Sequence, residues 1–489
     1  VSRLPVWGRW LLAVTLVRVL FAALLPPTPE ESYHWNYARH LDWSYLDHPG
    51  MVAWPIALGR LVFGDTAFAI RLAPLFFAAG TTVLLARMAR KLYGEPAALW
   101  AVLLQTIQPV TYVTSAAGYP DSPLLFFWTL AMTLVWEALE TGRGVEWIKA
   151  GVALGLGLNS KYTIVFFGAS VLGYLLTSRR DRRQLATPWP YLAALFSLVL
   201  FAPVVWWNYR HGWASFSYQS VERFGSSNEF SPKAFLKYLG IQWGSVVPLT
   251  LPLAIAAAWR GARSARPEER YLFWCFAPMM AFFGAVSWTM PTHVLWPLPC
   301  WLGLTVLMAG MMSEGGETIA FAYRRAAPWI AGAMTALALL ASIHGAFLLP
   351  KIPPPSPTHG WDVVAARLRE LRAELPPGNF VVGLGKKYFV ASQLAFHLNA
   401  PFEVYGRPVL GQQELQYNFW TDPDALAGRD AAIVVEVGHE DAAALARSFR
   451  SVEAAGDLVV PLRSGKPLRF RLFRGRGYVP TPLPPEFPH

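Results

Sequence analysis

Along the first 350 positions the apolar residues fill whole windows instead of recurring at helical or strand spacing. The windows 10–25, 68–88, 97–113, 123–139, 148–158, 163–176, 191–206, 239–258, 271–288, 294–312 and 329–349 are separated by short polar loops. They predict about eleven membrane spans, several of them short. After a proline-rich run, Lys351-Ile-Pro-Pro-Pro-Ser-Pro, the pattern changes to soluble periodicities. Residues 361–375, 388–398 and 440–449 read as helices, and 379–384, 431–437 and 468–473 as strands. That alternation predicts a polytopic α-helical membrane domain over 1–350 and a small C-terminal α/β domain over 351–489.

Charge orients the spans. Arg87, Arg90 and Lys91, then Arg143 and Lys149, Arg179 to Arg183, Arg260 to Arg270, and Arg324 and Arg325 fall in alternate loops. By the bias of basic residues these loops are cytoplasmic, with the N-terminus beside them. The first long loop, residues 26–65, is then extracytoplasmic. An odd number of spans places the C-terminal domain outside as well. Arg3 and Arg9 ahead of an apolar run also describe a cleavable leader. Arg18 interrupts that run, and no small-residue cleavage site precedes Pro26.

Composition agrees with a membrane protein: 54% of the 489 residues are hydrophobic, 22 are Trp, and 15% are charged. The net charge of +11 reflects topology and anionic lipid headgroups, with no basic cluster set in a soluble fold to suit nucleic acid. Cys275 and Cys300 fall inside predicted spans and make no disulfide framework. Gly383-Leu384-Gly385-Lys386 lacks the spacing of a phosphate loop.

The chemistry concentrates outside. Thr28 to Gly50 reads TPEESYHWNYARHLDWSYLDHPG, with Glu30, Glu31, Asp47, His34 and His48 among Tyr33, Trp35, Tyr37 and Tyr45. Acidic residues suit a helix's first turn, and aromatics suit a membrane interface. Those ordinary explanations leave several acids and histidines over. Asp121 opens the fourth span in GYPDSPLLFFW, where it reads as a helix cap. Lys161 sits at the mouth of another span in GLNSKYTIVFF, where snorkelling is the default. Three polar sites on one side, each at the mouth of a span, are read as lining a shared cavity. The amphipathic run 51–63, with Trp54 and Arg60, suits the lipid surface.

These residues resemble the polyprenyl-phosphate-sugar-dependent GT-C glycosyltransferases, in the branch of protein O-mannosyltransferases and lipid A aminoarabinose transferases. The likeness rests on EESYHW, YLDHPGMVAW, YPDSPLLFFW, GLNSKYT, PVVWWNYRHGWASFSYQ, HVLWPLPCWLG and ELQYNFW together. It implies transfer of a sugar from a lipid phosphate to an acceptor hydroxyl, with inversion, at the extracytoplasmic face of the inner membrane. The donor is then a polyprenyl-phosphate-linked sugar, and the acceptor a lipid, glycan or protein. Glu30 stands where the family usually has Asp, so the base is Glu30 or, with the register shifted, Glu31 or Asp47. Asp121 supports the acceptor or the loop. Lys161, Arg210, Arg223 and His293 are candidates for the donor phosphate, and Tyr33, His34, Asp47, His48 and His211 for substrate contact. Tyr388, Gln393, Tyr417 and Trp420 match the family's external domain and are read as structural or acceptor-facing.

Some members of the family use a divalent cation, and His34 with Glu30 or Glu31 is a pair that one helical face can offer to one. Such a pair is more often simply hydrogen-bonded, so no cofactor is expected. A lipid transporter shares the many spans, and Arg18 and Arg71 within them favour it; inverted repeats, its usual mark, are missing. A glycolipid-binding member without turnover is the third reading.

Overall fold

The computed structural model describes residues 4–222, 230–245, 250–315, 318–347 and 358–483. The linker at 351–357 and Arg223 lie outside them. In chain order the first helices are α1 (Val6–Leu24), α2 (Pro29–Arg39), α3 (Trp54–Phe63), α4 (Ala67–Tyr93), α5 (Glu95–Ile107), α6 (Pro109–Ala116), α7 (Asp121–Thr141), α8 (Gly144–Leu158), α9 (Val165–Thr177), α10 (Trp189–Arg210) and α11 (Ala214–Ser217). They continue as α12 (Pro232–Ser245), α13 (Thr250–Arg263), α14 (Pro267–Val286), α15 (Cys300–Glu314) and α16 (Thr318–Phe347). The last stretch holds α17 (Trp361–Ala373), β1 (Phe380–Leu384), α18 (Phe389–Leu398), β2 (Val404–Tyr405), α19 (Tyr417–Trp420), β3 (Ala431–Glu436), α20 (Ala442–Ser448), β4 (Phe449–Val460) and β5 (Leu468–Tyr478).

Most of the apolar windows fall on one of these helices or on a consecutive pair; the window 294–312 enters α15 only at Cys300, and 239–258 and 329–349 run over residues outside those described. Among the described residues, α1, α4, α7, α10 and the Trp329–Phe347 part of α16 are long and apolar enough to cross a membrane, and α12 with α13 passes as a pair bent by 104°. The α5, α8, α9 and α15 helices, at 13 to 15 residues, are shorter. Only 17% of the apolar window of α10 is buried, against 72% for α7. Apolar side chains left on the outside suit a lipid solvent, so α10 is a peripheral helix and α7 an internal one. Gly151 permits close packing of α8 on α10, since a Cβ there would lie 2.3 Å from the Ala193 carbonyl oxygen. Gly142, at φ 69°, ends α7 in the left-handed region. Cys275 and Cys300 are both buried and free.

The chain packs as two compact units, neither of them one stretch of sequence. One takes in residues 1–21, 72–206 and 219–340; the other takes in 22–71, 207–218 and 341–489. In the second unit the sheet runs β2-β1-β3-β5-β4, with β1 parallel to β2 and β3, and β5 antiparallel to β3 and β4. Strand periodicity sends alternate residues to opposite faces. Val381, Ala432 and Val434 pack with Val364 and Leu368 of α17 and Leu394 of α18 on one face. Phe380, Val382 and Ile433 pack with Leu445 of α20, Phe449 and Tyr478 on the other. The predicted helices and strands of this domain are present; β2 and β4 were not foreseen. The first-face core also contains Tyr33, Trp35 and Tyr37 of α2 and Tyr45. The loop between the first two apolar windows is thus part of the same core as the C-terminal sheet.

Candidate active site

Local sequence explains where α2 begins. Thr28 is its N-cap: its hydroxyl accepts from the Glu31 amide at 3.2 Å, and Glu31 Oε2 accepts from the Thr28 amide at 2.9 Å. Pro29 follows at the first helical position, where a missing N–H costs nothing. Glu31 is further committed to Arg71. The Arg71 Nε and one terminal nitrogen each donate to a Glu31 oxygen at 2.7 Å, and the guanidinium also donates to the carbonyls of Ala22, Leu25 and Pro26. Both side chains are buried. Arg71 therefore anchors the start of α2, which removes it as a feature favouring transport.

Glu30 is placed differently. It is half-buried, and the Tyr388 hydroxyl, from the residue just before α18, donates to its Oε2 at 2.5 Å. The Tyr388 ring stacks on Tyr33 with centroids 3.9 Å apart. Burial, reinforced by the neighbouring Glu30 carboxylate, raises the Tyr388 phenol well above its usual range, so it stays a proton donor.

Asp47 is buried and accepts a hydrogen bond from the Tyr37 hydroxyl. Burial pushes its carboxyl above the usual range, opposed by the Tyr37 bond and by His34, and assisted by the Glu30 charge. His48 Nε2 lies 4.0 Å from Asp47 Oδ2, and the His34 and His48 rings are 5.7 Å apart. Glu30, His34, Asp47 and His48 are thus brought together beside Tyr33 and Tyr37. Among the described residues no three His, Cys, Asp or Glu side chains gather as a metal-binding group.

Most aromatics of this stretch are core residues, whereas Trp43 is exposed. Tyr33, Trp35, Tyr37 and Tyr45 are fully buried. Asn36 donates to the Tyr417 hydroxyl at 2.9 Å, the Gln416 amide to the Tyr33 hydroxyl at 3.0 Å, and Gln416 Oε1 accepts from the Leu46 amide at 2.7 Å. Gln393 accepts from Ser32 and donates to the Pro27 carbonyl. Trp207 donates to Asp42 Oδ2 at 2.8 Å, and His211 stacks on Trp207 at 4.0 Å with its Nδ1 at the Trp207 carbonyl. Arg210 is exposed next to it. The run 51–63 ends in α3, which leaves Leu58, Leu61 and Val62 exposed and turns Ile56 inward. Arg60 and Arg39 both pair with Asp65.

In the other unit, Lys161 Nζ donates to Asp121 Oδ1 at 2.8 Å, both side chains being nearly buried. Asp121 is the first residue of α7 and makes no capping bond, Pro120 being the N-cap. The cap reading of Asp121 is therefore set aside, as is a snorkelling Lys161. His293 is exposed, and its Nδ1 accepts from the Leu295 amide. Sequence reasoning missed Arg71 as an anchor and Tyr388 as the partner of Glu30. An arginine at the end of an apolar run facing a loop rich in acids was the available signal for the first. Nothing local signals the second, 358 residues away in sequence.

Known proteins resemble this chain in sequence and in fold. The model of the family described as dolichyl-phosphate-mannose-protein mannosyltransferase matches residues 47–207. Crystalline ArnT from Cupriavidus metallidurans, bound to undecaprenyl phosphate, superposes with a TM-score of 0.69 at 16% identity, over 96% of this chain and 98% of that one. The chain has the GT-C fold. The mycobacterial arabinofuranosyltransferase AftD matches 97% of this chain over 40% of its own, with a TM-score of 0.53 at 15% identity. Within the GT-C proteins the chain resembles the ArnT-like branch. An undecaprenyl phosphate-alpha-4-amino-4-deoxy-L-arabinose arabinosyl transferase of Pseudomonas savastanoi pv. phaseolicola is 29% identical over 331 residues, 64% of this chain and 60% of the relative. The chain spans between half and two thirds of the length of the curated relatives it matches, as the 51% for a Pseudomonas aeruginosa transferase also shows. The family match begins at Asp47 and so includes Asp121 and Lys161 but not Glu30.

Proposed function

We propose that this GT-C protein is an inner-membrane glycosyltransferase that moves a monosaccharide from a polyprenyl-phosphate carrier to an acceptor hydroxyl on the extracytoplasmic face. The observation that carries the reading is the division of labour between neighbouring carboxylates. Glu31 is locked in a buried bidentate pair with Arg71, whereas Glu30 stays half-buried beside an acidic and histidine-bearing cluster. Only the second has a carboxylate available to take a proton. In a single displacement the acceptor oxygen bonds to the anomeric carbon, its proton passes to Glu30, and the bond to the lipid phosphate breaks. The anomeric centre inverts. Tyr388 orients the base by donating to Oε2. The departing phosphate already carries its charge well, so it needs a cation more than an acid. Lys161, whose ammonium donates to Asp121, is our candidate for that cation, with Arg210 as a further candidate.

We favour transfer over transport because Arg71, one of the two arginines that suited a transport path, is spent on holding the α2 start. The test is reconstituted transfer from a polyprenyl-phosphate sugar, with envelope glycolipids compared by mass spectrometry with and without the protein. Glu30→Gln should lower transfer by roughly a hundredfold or more, the scale of a lost general base, while Glu30→Asp keeps measurable activity. Normal transfer by Glu30→Gln would remove Glu30 from the mechanism. No transfer by the wild-type protein from any polyprenyl-phosphate sugar would end the enzyme reading.

A further inference from the structure

A groove of about 350 Å³ follows one face of α13 from Leu251 to Ala262, with Phe276 of α14 on its far side and Trp301 and Leu304 of α15 beneath. Its lining is apolar. Ile255 and Trp259 stand exposed on its rim, while Trp301 and Leu304 are buried. At 1.5 Å per residue this face is about 17 Å long. One leaflet of a hydrocarbon core is roughly 15 Å deep. The groove therefore has the length of an extended acyl chain, and Ile255 and Trp259 leave it open along its side.

Charge marks one end. Arg263 lies over the Trp259 ring, its guanidinium carbon 3.2 Å from the ring centroid. Its neighbours are already neutralised: Arg260 pairs with Glu269 and Glu314 at 2.6 and 2.5 Å, and Arg266 with the same two acids at 3.2 and 2.5 Å. Arg263 has no part in these four ion pairs. It is exposed at the helix end, beside the apolar slot. We propose that the groove is a site for an anionic phospholipid, one acyl chain lying along α13 and the phosphate on Arg263. By the distribution of basic loops this end faces the cytoplasmic leaflet, which carries the anionic headgroups that such an arginine recognises. A polyprenyl phosphate whose sugar reacts on the other side would present its phosphate at the opposite end.

Native mass spectrometry of the full chain, purified from detergent with equal phosphatidylglycerol and phosphatidylcholine, tests this. Wild type should retain phosphatidylglycerol about fivefold over phosphatidylcholine, the scale of one basic residue at a lipid surface. Arg263→Gln should abolish the preference while phosphatidylcholine is still retained. Ala262→Trp places bulk on an exposed position of the groove and should lower retention of both lipids; Ala262→Leu is the milder version if the first does not fold. Equal retention of the two lipids by wild type, a preference surviving in Arg263→Gln, or displacement of phosphatidylglycerol by added undecaprenyl phosphate would each overturn the assignment.

Discussion

Two buried ion pairs, one in each unit, are built to opposite specifications. In Glu31–Arg71 a planar fork meets a carboxylate through two bonds of 2.7 Å, and three backbone carbonyls take further guanidinium donors. In Asp121–Lys161 a single ammonium contact of 2.8 Å joins two flexible chains. Arginine presents donors in a fixed geometry, and lysine is a rotatable point charge. The first arrangement suits permanent anchorage. The second leaves the cation able to share its charge with an incoming phosphate at small geometric cost.

Breaking the anchor should give the largest effect. Arg71→Met strands the Glu31 carboxylate in the core and should destabilise by about 3–5 kcal/mol, read as a shortened thermal-inactivation half-life in detergent. Adding Glu31→Gln should recover part of the loss, because the stranded charge is gone. A half-life unchanged in Arg71→Met would mean that the pair does not hold the loop.

The lysine pair should behave in two separable ways. Lys161→Met leaves Asp121 without its partner, so stability falls, and donor binding weakens by about 1.5–3 kcal/mol if the ammonium meets phosphate. Asp121→Asn in the same chain removes the stranded charge and should restore stability without restoring donor affinity. Recovery of both in the double variant would reduce Lys161 to a structural residue.

The smallest effect concerns the hydrogen bond that distinguishes Glu30 from Glu31. Tyr388→Phe keeps the ring stacked on Tyr33 but removes the donor to Oε2. Transfer should slow by about tenfold, or about 1.5 kcal/mol, the lower scale for a bond to a charged group, with the donor KM unchanged. An equal loss in KM alone would point to substrate contact in place of orientation of the base.

Much of this was legible in the chain. Long apolar windows announce membrane helices because lipid offers backbone groups no partner, so every window must satisfy its own. The C-terminal α/β pattern was equally readable from 361–375 through 468–473, since each element has its own period. Strand β4 escaped because its residues are mostly exposed, with no alternation to betray it. The sequence leaves the aromatics of α2 open between an interface and substrate contact, because Tyr33, Trp35 and Tyr37 carry the same composition whether they face headgroups, a ligand or a protein core.

What the sequence by itself determined is therefore local: which windows are apolar enough for lipid, where Thr28 and Glu31 start a helix, and that acids and histidines crowd the first long loop. Which of two adjacent glutamates is left available was decided by tertiary structure. Glu30 and Glu31 differ by about 100° around one helix. That rotation turns one toward Arg71, 40 residues on, and the other toward Tyr388, 358 residues on. A carboxylate's chemistry depends on its partners, and neither partner is a neighbour in sequence.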